Sequence, residues 1–209
     1  MLNTLRFKGN GMLNEYCETM FAGAPSSFFN KEVSGDQQTY KALKSADISK
    51  DGYINAESMT DIEIKEGKNI SKFVLKEGDV VLLARGTTPH CGFVTEEVAQ
   101  LGVVATANFI VIRLKPDFLG ECLTAYFNSQ YGKQSLNHPD ITQSTSVMKA
   151  IKLSALKQME LQLPSIEKQK QIADLFHAQV KAERATLEML EKQKAAVEAK
   201  VVCLMEEGK

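Results

Sequence analysis

Two short stretches carry side chains of the kind that read or grip a polyanion. Arg85-Gly-Thr-Thr-Pro-His90 follows an apolar run, Val80–Ala84, and offers a guanidinium, two hydroxyls and a glycine that permits close backbone approach. Thr142-Gln-Ser-Thr-Ser146, with Lys149 and Lys152 after it, is a second such stretch. Arginine matches guanine bidentately and glutamine matches adenine, while Ser, Thr and Lys suit phosphate oxygens. Residues 141–160 hold three Lys and one Glu, a local charge of +2. Arg85, Thr87, Thr88, Gln143, Ser144, Thr145 and Lys149 are the candidate nucleic-acid contacts. An ordinary solvated loop is the competing reading of each stretch.

Other chemistries find less support. Asp47-Ile-Ser-Lys-Asp51-Gly52-Tyr-Ile54-Asn-Ala-Glu57-Ser58 imitates a calcium loop up to its eighth place. The twelfth place, which needs a bidentate Glu, is Ser58. A polar turn between two strands is the plainer reading, and no metal ligands are assigned. His90 and Cys91 are adjacent, so on a strand they point to opposite faces and cannot act as base and nucleophile. His138 and His177 read as solvated or packed histidines. Pro116-Asp117 and Pro139-Asp140 lack a nearby Glu-x-Lys, because Glu198-Ala-Lys200 is far downstream. There is no glycine-rich phosphate loop, no Gly-x-Gly-x-x-Gly after a strand and no Asn-Pro-Pro-aromatic tetrapeptide. No catalytic residue is assigned.

The bulk properties are those of a globular protein rather than a disordered or fibrous one. The chain has 209 residues, 44% hydrophobic and 24% charged, which fits a globular domain with an appendage. Its net charge of −1 excludes a bulk polycation but not a local basic face. No apolar run approaches a bilayer-spanning length, and the start of the chain lacks a signal-peptide core, so a cytoplasmic protein without membrane contact is expected. Cys17, Cys91, Cys122 and Cys203 are scattered and are expected to be reduced.

The elements that must carry the two stretches are legible in part. Asp79–Ala84 and Asn108–Leu114 are the stronger strand candidates; Tyr53–Ile54, Lys72–Leu75 and Met159–Leu163 are shorter ones. Phe118–Leu136 has helical spacing. These define a mixed-sheet α+β region over residues 1–163. A change of texture marks its end: all five prolines lie at or before Pro164, and the only later glycine is Gly208.

Residues 164–209 read as a coiled-coil helix. From Ile166 and Gln169 the stripe continues through Ala173, Phe176, Val180, Glu183, Leu187, Leu190, Lys194, Val197, Val201 and Leu204, with steps of three and four. Nine of these twelve positions are apolar. A sustained 3.5-residue repeat calls for a partner helix and a left-handed supercoil. In a parallel pair Glu183 and Lys194 would each meet their own copy. In an antiparallel pair with the twofold between Glu188 and Met189, residue i meets 377 − i, and Glu183 faces Lys194′. The stripe from Ala173 to Leu204 is therefore the expected interface of an antiparallel homodimer.

The order of these elements resembles the specificity (S) subunit of type I restriction-modification systems, over nearly the whole chain. Phe21-Ala-Gly-Ala-Pro25-Ser26 is similar to the opening turn of a target recognition domain. Tyr40-Lys-Ala-Leu-Lys-Ser-Ala-Asp47-Ile48 and Gly52-Tyr-Ile54 are similar to its next strand and turn. Leu75-Lys-Glu-Gly-Asp79-Val-Val-Leu-Leu-Ala-Arg85-Gly86 and Leu161-Gln-Leu-Pro164-Ser-Ile166-Glu-Lys-Gln169-Lys-Gln-Ile172-Ala173 are the more specific matches. The resemblance implies a target recognition domain on a spacer helix, a half-length form where the family typically has two of each. It implies a non-catalytic subunit that directs an adenine methyltransferase subunit to a bipartite site on double-stranded DNA. S-adenosylmethionine is then expected on that partner, with no cofactor in this chain. It leaves open whether a restriction subunit joins. Ser26 and Lys31 join the candidate DNA contacts on this basis. Two other readings stay open: a coiled-coil-dimerised interaction module with no DNA role, and a nuclease or metal hydrolase.

Overall fold

The computed structural model describes residues 11–30, 33, 38–56, 58–144 and 148–206. The chain runs through β1 (Gly11–Met12), β2 (Cys17–Ala22), β3 (Thr39–Leu43), β4 (Thr60–Glu63), β5 (Val80–Leu83), β6 (Arg85–Gly86) and β7 (Cys91–Phe93). It continues with α1 (Glu96–Gln100), β8 (Val103–Ala105), β9 (Phe109–Leu114), α2 (Gly120–Asn128) and α3 (Gln130–Leu136). It ends with β10 (Thr142–Ser144), β11 (Lys149–Ile151), α4 (Leu153–Lys157), β12 (Glu160–Leu161) and α5 (Ile166–Glu206).

The central sheet has the order β2-β9-β5-β7, with every pairing antiparallel. It is buried on both faces, which explains the unbroken apolar runs of β5 and β9. Alternate residues serve different cores, as the two-residue period of a strand requires. Val80, Leu82, Ile110 and Ile112 pack with Leu123 and Phe127 of α2 and Leu136 of α3. Val81, Leu83, Phe109 and Val111 pack with Leu43, Val103 and Ala105 of a second sheet, β4-β3-β8, in which β3 and β8 are parallel. This is the α+β, mixed-sheet architecture expected from the sequence.

Polar anchors hold the sheet in place. Asp79, fully buried ahead of β5, accepts Nε and Nη2 of Arg113 at 2.8 and 2.7 Å and the Lys76 N–H at 2.8 Å. At the edge strand β7, the Asn128 side chain imitates a neighbouring strand. Its Oδ1 accepts the Cys91 N–H and its Nδ2 donates to the Cys91 carbonyl, each at 2.8 Å. The open edge is thereby closed without another strand.

Several local expectations change. The helical stretch Phe118–Leu136 is two helices, because Ser129 is extended (φ −65°, ψ 161°) and its hydroxyl caps α3 by accepting the Gly132 N–H at 3.1 Å. A side chain at Gly132 would come within 2.0 Å of the Tyr126 carbonyl, so this tight corner needs glycine. Ser71–Phe73 is a 3-10 turn, and only Val74 bridges to Val104. Ile54 makes a single bridge to Ile48. The calcium-like loop is a structural turn: Asp47 is buried and accepts the Lys44 N–H at 2.7 Å and the Ser58 hydroxyl at 3.0 Å. Glu57 lies outside the described residues.

α5 begins where the composition changes. Ser165 supplies the first helical acceptor, for the Gln169 N–H at 2.9 Å. Gln169 is buried at the joint; it accepts the Leu119 N–H at 3.0 Å and donates to the Pro164 carbonyl at 2.8 Å. The next turns stay docked on the chain's own domain. Ala173 and Phe176 are each only 7% exposed, and the Phe176 ring meets Phe93 edge-on at 6.1 Å. This corrects the expectation that Ala173 and Phe176 face a second helix: their apolar surface is already covered within the chain. His177 pairs with Glu121 at 3.2 Å, and Arg184 stacks over the Tyr53 ring at 4.4 Å. Residues 185–206 then project as exposed helix, about 33 Å long at about 1.5 Å per residue.

Candidate nucleic-acid interface

The two polar stretches of the sequence meet in one small sheet. Its order is β10-β11-β6, antiparallel throughout. Gln143 lies opposite Ala150 and Ala150 opposite Arg85; Ser144 lies opposite Lys149 and Lys149 opposite Gly86. Residues directly opposite share a face. Arg85 and Gln143 therefore stand on the same face across the small Ala150, about 10 Å apart at two strand spacings. Ser144 and Lys149 share the other face, whose inner end is buried through Thr142 and Ile151. The groups suited to base edges and those suited to phosphates are thus sorted by strand alternation.

The sheet is fixed to the core by backbone bonds. The Ile151 N–H donates to the Ala84 carbonyl at 2.8 Å, and the Ala84 and Arg85 N–H groups share the Asn108 carbonyl at 2.8 and 3.1 Å. Thr142 is buried and its hydroxyl donates to the Leu136 carbonyl. Lys149 Nζ donates to Asn137 Oδ1 at 2.9 Å, which ties its side chain to the carboxyl end of α3. Arg85, Gln143, Ser144, Thr87 and Thr88 are exposed. Residues 85–90 and 141–152 contain Arg85, Lys149 and Lys152 and one acid, Asp140 lying just outside, a formal charge of +3 on a chain of net charge −1.

The remaining candidates separate. Ser26 is exposed in a 3-10 turn, Ser26–Phe28, and no strand pairing joins it to the small sheet. Lys31 and Thr145 lie outside the described residues. Sequence reading missed the pairing itself, and with it Ala150, Asn108 and Asn137. Three-residue strands leave too little alternation to recognise. Cys91 is fully buried, and burial raises its thiol well above the ordinary range; Cys17 and Cys122 are pushed up to about 11 by burial. These thiols pack rather than react.

A second polar cluster sits where α5 leaves the domain. The Glu183 carboxyl is pushed up to about 7, first by its hydrogen bond with Asp51, then by burial and by the charge of Asp51. Asp51 also accepts Gln179 Nε2 at 3.0 Å. The folded chain holds this proton more tightly than the unfolded chain does. Stability is therefore lost as the pH rises from the ordinary carboxyl range through about 7. Glu183→Gln should flatten that loss: in thermal unfolding at low micromolar concentration, its Tm relative to the parent should be higher at pH 8 than at pH 5.

No helix among the described residues is long and apolar enough to cross a membrane. The fold is similar to that of the HsdS subunit from Thermoanaerobacter tengcongensis, with 19% identity and a TM-score of 0.57, over 84% of this chain and 43% of that one. A structure described as showing complex assembly and conformational transition of the type I R-M system aligns with 19% identity and a TM-score of 0.55, over 88% of this chain and 41% of that one. The chain thus spans about two fifths of the length of these structures. Among curated proteins no sequence match was found. Residues 27–199 match the type I restriction modification DNA specificity domain, so the chain belongs to that non-catalytic family.

Proposed function

We propose that this chain supplies the sequence address for a partner adenine methyltransferase, with residues 1–163 reading DNA and residues 164–209 acting as the spacer. The observation that carries this reading is the convergence of Arg85, Gln143, Ser144 and Lys149 on one three-stranded sheet. Within it β10 and β11 pair as a two-stranded antiparallel ribbon, the kind that the major groove, about 12 Å wide, admits. Arg85 and Gln143 contact base edges; Lys149, Ser144, Thr87 and Thr88 hold phosphates and set the register. Ser26, Lys31 and Thr145 complete the contact set.

Two copies pair antiparallel through α5, with Glu183 facing Lys194′. They present two identical reading heads, so the target is two inverted half-sites with an unread gap between them. The methyltransferase subunit, docked on the spacer, flips the target adenine and carries the S-adenosylmethionine.

The test is co-expression with an adenine methyltransferase subunit, followed by mapping of methylated adenines. A symmetric, gapped sequence is expected. Arg85→Ala should lower methylation at that sequence by about ten- to a hundredfold, matching about 1–3 kcal/mol, and should relax the preference at one position in each half-site. Lys149→Ala should weaken all sites alike and reduce the salt dependence. Unchanged preference in Arg85→Ala and Gln143→Ala would remove this sheet from the reading role. An asymmetric target would defeat the twofold pairing.

A further inference from the structure

Within the calcium-like stretch, residues 49–53 close into a tight knot. The Ser49 N–H donates to the Tyr53 carbonyl at 2.8 Å, Ser49 Oγ accepts the Tyr53 N–H at 3.0 Å, and the Gly52 N–H donates to the Ser49 carbonyl at 3.1 Å. The knot is locked to the domain. The Gly52 carbonyl accepts the Phe93 N–H of β7 at 3.0 Å. Gly52 has φ +93°, and a Cβ there would come within 2.6 Å of Thr124 and 2.9 Å of Asn128, both on α2. The backbone angle and the lack of space each demand glycine.

So held, the knot presents two side chains to α5. Asp51 Oδ1 accepts Gln179 Nε2 at 3.0 Å, and Asp51 shares a hydrogen bond with Glu183, one turn further on. The Arg184 guanidinium lies over the Tyr53 ring, 4.4 Å from its centre. From Arg184 to Glu206 every residue is exposed, so these are the last contacts between the helix and the domain. α5 is thus attached by two joints of different kinds. The inner one, at Gln169, Ala173 and Phe176, is buried. The outer one is polar and open to water, which competes for each of its contacts.

A lever links the outer joint to the far end of the helix. Arg184 lies eight residues beyond Phe176 and Cys203 twenty-seven, about 12 and 40 Å at about 1.5 Å per residue. With Phe176 as pivot, a shift of about 2 Å at Arg184, ordinary for a helix released from one contact, moves the Cys203 end by about 7 Å. That is about two base pairs at about 3.4 Å each.

We propose that the knot at Ser49–Tyr53 is a collar on α5, with Asp51 and Tyr53 as positioning residues that fix the direction in which the helix leaves the domain and so the gap between half-sites. The gap rests on the reading of α5 as the spacer; the collar is a property of the single chain. A buried apolar joint alone would leave the helix free to rock about Phe176. The collar supplies the second point that makes the direction unique.

The test uses the full chain. Cys203 is exposed, whereas Cys17, Cys91 and Cys122 are buried. Glu66→Cys, at an exposed position, adds one reactive thiol on the domain. Spin labels on the two thiols give the distance from domain to helix end by double electron–electron resonance, with excess unlabelled chain to suppress pairs between copies. The parent should show one narrow distance. Gln179→Ala with Arg184→Ala alters two exposed helical side chains, so the fold is retained, and should broaden the distribution by about 7 Å. Tyr53→Leu should broaden it too. The conservative Tyr53→Phe and Arg184→Lys keep a ring and a cation and should stay narrow. Co-expressed with the methyltransferase subunit, the Ala pair should accept gaps about two base pairs longer or shorter than the parent's. A distribution as narrow as the parent's in the Ala pair would overturn the collar, whatever the methylation map shows. A broadened distribution with an unchanged gap would overturn its link to spacing. A parent that methylates no gapped sequence would overturn the address reading instead, and the distance measurement still decides the collar.

Discussion

Asp79→Ala is expected to lose about 3–5 kcal/mol of folding stability, enough to abolish most of the native population of a typical domain. Asp79 is fully buried, yet it satisfies three donors: Nε and Nη2 of the Arg113 guanidinium and the Lys76 N–H. Deleting the carboxylate strands a positive charge between β9 and the entry to β5, close to the Phe21 ring. Urea denaturation should show a lower midpoint with an unchanged slope. The double variant Asp79→Leu with Arg113→Met should recover much of the loss, since a buried ion pair costs most when only one half of it is removed. A loss below about 1 kcal/mol in the single variant would show that water reaches the pair. The damage should extend to recognition. β5 leads directly into Arg85, so any drift of that strand moves one edge of the proposed reading sheet.

Phe176→Ala is the second large effect, again about 3–5 kcal/mol, the usual cost of emptying a buried phenylalanine site. Its ring is held by Phe93 and His177, and it is the last wholly covered apolar contact before α5 leaves the domain. Removing it should release the first turns of the helix while the central sheet survives. Hydrogen exchange should quicken over residues 170–180 more than over β5 and β9. The loss should not depend on protein concentration. A concentration-dependent loss would place Phe176 in a dimer contact instead.

The strongest strands were legible because burial on both faces leaves an uninterrupted Val, Leu and Ile run, and β5 and β9 have no other way to be satisfied. The helix was legible for a similar reason: a long polar stretch without proline or glycine, carrying one apolar stripe, has few alternatives to α5. The candidate contacts Arg85, Thr87, Thr88, Gln143, Ser144 and Lys149 could be named from their chemistry. Their arrangement could not. Strands β6, β10 and β11 have two or three residues each, and their register is imposed by backbone bonds from Ala84 and Asn108 rather than by any pattern of their own.

The amino-acid sequence by itself determined the α+β class, the long helix that begins just after Pro164 and the membership implied by its motifs, because each of these follows from local composition and period. Only the tertiary structure decided which side of α5 is free. A seven-residue stripe marks what is apolar, not what covers it. Phe93 and its neighbours reach Phe176 from β7, more than eighty residues earlier in the chain, and no local signal announces a contact of that range.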